Sequence, residues 1–71
     1  MDVGTFVRKR RKAAGMTQQE LAEVAGVGTR FISELERGKQ TVRLAEVNAV
    51  LAVFGKALGI VEQLRGELNA T

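Results

Sequence analysis

The sequence predicts an all-α fold of four to five short helices, with the stretch after Gly55 as the one segment that also suits a short strand. Three observations predict it. Glycines 15, 26, 38 and 55 divide the chain into short blocks. Within the blocks apolar residues recur three and four apart, the period of a helix with one buried face. Thr17 followed by Glu20 is a capping box, in which the hydroxyl accepts the amide of residue 20 and the carboxylate reaches back to the amide of residue 17.

The first helix is expected over about residues 2–14, with Val3, Phe6, Val7, Ala13 and Ala14 as its buried stripe. Arg11 falls on the same stripe, where an unpaired guanidinium would be costly. Glu36 is its favoured partner, in a bidentate pair that would lock the first helix to the third; a phosphate contact is the alternative. The second helix is expected at 18–25. Met16 and Leu21 occupy the two positions of a hydrophobic staple, and Leu21, Ala22 and Ala25 give a narrow face that allows close packing. Gly26 suits the left-handed cap that ends it.

After a turn of three or four residues, Gly28 is a tolerable N-cap without a side-chain oxygen. The third helix is expected at 29–37, with Phe31, Ile32 and Leu35 inward. Thr29, Arg30, Ser33, Glu34 and Arg37 are left on its outer face. Two short helices joined by so tight a turn have the spacing of a helix-turn-helix, whose second helix enters the major groove of DNA. The fourth helix is expected at 44–54, where Leu44, Val47, Val50, Leu51 and Phe54 form a broad apolar face, with Thr41 as a candidate cap.

Beyond Gly55 the pattern is ambiguous. Leu58 and Ile60 share one side of a possible strand, while Leu58, Val61, Leu64 and Leu68 fit a helix that Gly59 and Gly66 would each weaken by about 1 kcal/mol. A lone strand needs a partner, so this segment suggests pairing with its copy in a homodimer through Leu58 and Ile60. The expected division is a DNA-binding unit at 1–55 and a dimerisation segment and tail at 56–71.

Composition fits a small binding domain. The chain has 71 residues, net charge +3, and no cysteine, histidine or tyrosine. One domain of this size has a core only just sufficient for stability. The missing side chains leave little for an enzyme to use, and they argue against a cofactor or a zinc-thiolate site. No apolar run is long enough to span a bilayer or follows Met1 as a signal would, so no membrane partner is expected and the location reads as cytoplasmic. Residues 1–43 carry nine basic groups against five acidic ones, five of the nine in the run Arg8 to Lys12. Local basic charge of this kind supplies phosphate affinity.

The geometry assigns roles. Free amides at the start of the second helix make Thr17, Gln18 and Gln19 a phosphate clamp. Arg30 is placed to meet O6 and N7 of a guanine, with Thr29 and Ser33 beside it. Glu34 either accepts from a cytosine amine or pairs with Arg30 or Arg37. Arg37, Lys39 and Arg43 are candidate phosphate contacts, with plain surface solubility as the alternative for Lys39 and Arg43.

Residues 8–55, through TQQELAEVAGV and ISELERGK, resemble the DNA-binding domain of the Cro/C1 repressors, the XRE family. The resemblance implies a compact Cro/C1-like helical fold that binds double-stranded DNA. It also implies that Gln18 touches a phosphate and braces the reading helix, that positions 28, 29, 30, 33 and 34 face base edges, and that Arg11 and Glu36 form the family's inter-helix link. Gly28 departs from the polar cap common there. The stretch ISELERGKQTVRLAEVNAVLAVFG with the apolar segment after it is more similar to HipB-like antitoxins. That narrower resemblance implies an autorepressor paired with a HipA-like kinase toxin and dimerised partly through a strand after the fourth helix. A stand-alone repressor and a protein-binding helix-turn-helix adaptor are the alternatives.

Overall fold

The computed structural model describes residues 2–39 and 43–59. Among them are four helices and no strand: α1 Val3–Ala13, α2 Gln18–Ala25, α3 Thr29–Glu36 and α4 Leu44–Val53. The fold is all-α.

Each boundary has a local cause. Asp2 caps α1 by accepting the Thr5 amide at 2.8 Å. The capping box at α2 is complete, with Glu20 N–H donating to Thr17 Oγ1 at 3.0 Å and Thr17 N–H donating to Glu20 Oε1 at 2.8 Å. Gly26 stops α2 at φ 76°, in the left-handed region where a side chain would be strained. The Val27 amide then closes back on the Ala22 carbonyl at 3.0 Å, satisfying an acceptor the helix would otherwise leave open. α3 ends in the same way: Gly38 has φ 86°, and the Lys39 amide donates to the Glu34 carbonyl at 3.0 Å.

The core is Val7, Leu21, Ala22, Ile32, Leu35, Val47, Val50 and Leu51, all buried. Each large member contributes roughly 1.5–3 kcal/mol by leaving water, before chain entropy is subtracted. α2 and α3 pack on each other, α1 lies against α3, and α4 covers α2. Val3, Phe6, Met16, Ala25, Val27, Phe31, Val53 and Phe54 close the margins. The small face of α2 leaves α3 free to keep its other side in solvent.

Four expectations need correction. Ala13 and Ala14 are exposed: the buried line of α1 runs through Gly4, Val7 and Arg11, and Ala14, the C-cap, lies past its end. Ala13 lies about 200° round the helix from Arg11. Leu44 is 54% exposed, since it begins α4 one turn before the helix meets the core at Val47. Arg43, with no side-chain cap bond, occupies the N-cap of α4, and Thr41 lies outside the described residues. α3 and α4 are each one residue shorter than their patterns suggested, with Arg37 and Phe54 as C-caps.

Gly4 shows how closely the helices approach. A Cβ at this position would overlap the Leu35 carbonyl oxygen at the end of α3. Only glycine lets α1 lie that near.

Candidate nucleic-acid interface

The brace of the site is Arg11, buried on α1. Its Nε donates to Glu36 Oε2 at 2.7 Å, its Nη2 to Glu36 Oε1 at 3.0 Å and its Nη1 to the Met16 carbonyl at 2.8 Å. The Glu36 side chain is only 3% exposed, so both charges of the pair are held away from water. Gln18 Nε2 adds a third bond to the same carboxylate, at 3.2 Å to Oε1. One carboxylate near the end of α3 thus joins α1 to the first residue of α2, and Arg11 itself ties in the turn before α2. Burial pushes the Glu36 carboxyl up, but the hydrogen bonds from Arg11 and Gln18 and the charges of Arg11 and Arg8 outweigh it and leave it below the usual 4.5. The hydrogen bond to Glu36 raises the Arg11 guanidinium in turn, against the opposing effect of burial.

At the start of α2 the capping box narrows the expected clamp. The Thr17 amide is already taken by Glu20, and the Thr17 hydroxyl already accepts from the Glu20 amide. What an incoming phosphate would find are the amides of Gln18 and Gln19, the Gln19 side chain, the Thr17 hydroxyl proton and the second Nε2 hydrogen of Gln18.

The outer face of α3 carries Thr29 and Arg30 exposed, Ser33 and Glu34 half-buried, and Arg37 exposed at its end. Arg30 Nε donates to Glu34 Oε2 at 3.2 Å, one helical turn away, while Lys39 Nζ lies 3.4 Å from the same oxygen. Of the two pairings open for Glu34 within the chain, Arg30 is the one formed. Arg30 remains 90% exposed, so the pair, made through Nε, holds it weakly and does not occupy Nη1 and Nη2. The hydrogen bond from Arg30 and the contact with Lys39 keep the Glu34 carboxyl below its ordinary value. Arg43 Nη1 pairs with Glu46 Oε1 at 3.0 Å across the first turn of α4.

The basic run of α1 does not act as one surface. Arg11 is consumed by Glu36. Arg10 lies over the rings of Phe6 and Phe54, with its guanidinium carbon 5.5 and 5.6 Å from their centroids, an arrangement of the cation–π kind. Arg8, Lys9 and Lys12 remain on exposed helix surface.

Sequence reasoning missed Asn48, on α4. Its Oδ1 accepts the Leu58 amide at 2.7 Å and its Nδ2 donates to the Leu58 carbonyl at 3.2 Å. A side-chain amide here bonds a backbone residue on both sides, as a neighbouring strand would. An asparagine between Val47 and Val50 in an otherwise apolar stretch was the available signal. Leu58 is exposed and belongs to no strand among the described residues; Ile60 lies outside them.

No helix among the described residues is long and apolar enough to cross a membrane. The helix-turn-helix family profile matches residues 7–61. A protein of Sinorhizobium fredii described as an uncharacterized HTH-type transcriptional regulator is 47% identical over 60 residues, covering 84% of this chain and 79% of the relative. A second, from Methanothermobacter thermautotrophicus and described in the same terms, is 36% identical over 52 residues, covering 73% of this chain and 75% of the relative. The two short helices, their glycine-capped turn and the polar outer face of α3 agree with those matches, and the chain belongs to the XRE-type helix-turn-helix family of DNA-binding transcriptional regulators.

Proposed function

We propose that two copies of this chain bind an inverted-repeat operator and repress transcription from it. The observation that carries the reading is the exposed, cation-bearing face of α3 set beside the open amides of α2. On this reading α3 enters the major groove, and Arg30 meets guanine O6 and N7 through its two terminal nitrogens. Thr29 offers its methyl to a thymine or its hydroxyl to a phosphate, and Ser33 bonds a base edge. Thr17, Gln18 and Gln19 hold one phosphate of the strand, while Arg37, Lys39 and Arg43 flank the groove. Gly28 offers backbone alone.

The dimer is proposed to form through the segment after Gly55, by way of Leu58 and Ile60. Support comes from the two hydrogen bonds of Asn48 to Leu58, which fix that residue's backbone and leave its apolar side chain exposed. The narrower antitoxin reading, with a HipA-like kinase as toxin, rests on the resemblance of residues 32–55 and on the apolar sequence that follows Gly55. Copurification with the product of the adjacent reading frame would support it, and a neighbour unrelated to kinases would leave a stand-alone repressor.

Selection of bound duplexes from a random pool tests the core of the reading. The expected result is a two-fold symmetric sequence with half-sites about 34 Å apart, or roughly one helical turn. Recovery of an asymmetric site would sink the dimer, and salt-dependent binding with no sequence preference would sink base reading by α3.

A further inference from the structure

We infer that Glu34 sets sequence specificity by acting on Arg30, and that it does so without reading a base itself. The inference rests on the placement of α3 in the major groove proposed above, and goes beyond it by giving the one carboxylate of that face a function.

The geometry is specific. Glu34 Oε2 receives Arg30 Nε at 3.2 Å and faces Lys39 Nζ at 3.4 Å, so one oxygen serves both the base-reading arginine and a flanking cation. The Lys39 backbone is tied to the same residue, its amide donating to the Glu34 carbonyl at 3.0 Å. The Glu34 side chain is 23% exposed against 90% for Arg30, so the carboxylate sits low on the helix and the guanidinium stands above it. With Nε engaged, the guanidinium plane is steered and the terminal nitrogens remain for an end-on approach to guanine. Guanine in register lets Arg30 keep both partners.

A wrong base offers no such arrangement. Arg30 then gains most by swinging to a phosphate, which strips Glu34 of a partner inside a negatively charged groove. A carboxylate left with Lys39 alone beside the phosphates is a deterrent, and specificity is built as much from such penalties as from attraction. Glu34 also removes one positive charge from the non-specific attraction to phosphate. In water the exposed pair is weak, so Arg30 is released at little cost when no DNA is near.

The test compares the wild type, Glu34→Gln, Arg30→Ala and the double variant on the selected operator and on a scrambled duplex, each across a salt series. Glutamine keeps an acceptor for Nε and the size of the side chain, but lacks the charge. The expected result for Glu34→Gln is scrambled-duplex affinity raised roughly tenfold, with operator affinity changed less than about threefold. Its salt slope on the scrambled duplex should steepen by about one. In the Arg30→Ala background the same change should leave base preference unaltered. Equal gains on both duplexes would overturn the inference, reducing Glu34 to a general charge. Loss of preference for a single cytosine, with the guanine preference intact, would overturn it by making Glu34 a direct reader. If the wild type selects no sequence at all, the groove reading fails and the role of Glu34 falls with it, a result visible before any variant is measured.

Discussion

Among single residues, Glu36 holds the most. Glu36→Ala would leave the Arg11 guanidinium buried beside only the Met16 carbonyl, and removing one partner of a buried pair costs about 3–5 kcal/mol. The melting temperature should fall by more than about 10 °C, which a calorimetric scan checks; an unchanged transition would show that the pair contributes nothing. The same carboxyl sets an acid limit. Its folded value lies below the ordinary 4.5, so its contribution is complete above that pH and disappears as the pH falls through the depressed value. Stability measured from pH 6 downward should therefore decline, and the decline should be shallower in Glu36→Gln, which carries no titrating group. Gly4 is the second sensitive position. Gly4→Ala should destabilise by about 1–3 kcal/mol despite the better helix propensity of alanine, because its methyl meets backbone that cannot rotate away. A rise in melting temperature would mean that α1 can move off α3 freely.

Helices show which parts of the fold were legible and why. The capping box, Gly26 and Gly38 act through neighbours a few residues apart, so the starts and stops of α2 and α3 could be read from spacing to within a residue. Thr17→Ala removes one half of that box and should cost about 1 kcal/mol, or roughly 4–8 °C of melting temperature. Urea unfolding at equal protein concentration would measure it, and a loss of under about 0.3 kcal/mol would show that Glu20 alone suffices. Arg11 was legible for a different reason: a charge on an apolar stripe requires a partner, and few carboxylates were within reach. Periodicity, by contrast, tells which side of a helix is apolar and says nothing about where along its length the core ends. Ala14 and Leu44 lie past those ends, and Ala13 sits on the far side of α1. The partners of Asn48 and Gly4 were illegible, because Leu58 and Leu35 are brought to them only by the folded chain. The ion pair between Arg30 and Glu34 has helical spacing and was an open alternative on sequence; its sharing with Lys39 depends on how the chain turns after Gly38.

For the molecule as a whole, charge and association are the quantities that matter. Arg11 is neutralised inside and Arg10 is drawn onto Phe6 and Phe54, so the net positive charge overstates what DNA would meet from the first helix. Association is expected to depend on Asn48. Asn48→Ala should lower the stability of the single chain by about 1 kcal/mol, the net value of ordinary hydrogen bonds. It should also weaken self-association roughly tenfold in sedimentation equilibrium; an unaltered dimer constant would detach residues 56–59 from the interface. The two bonds at Leu58 have a thermodynamic consequence of their own. A free chain end must give up its conformational freedom at the moment it meets a partner, and that loss is subtracted from affinity. Here the loss at Leu58 is already taken when the monomer folds, through an asparagine of the same chain, so a contact made at this residue would begin from a chain with less disorder left to surrender.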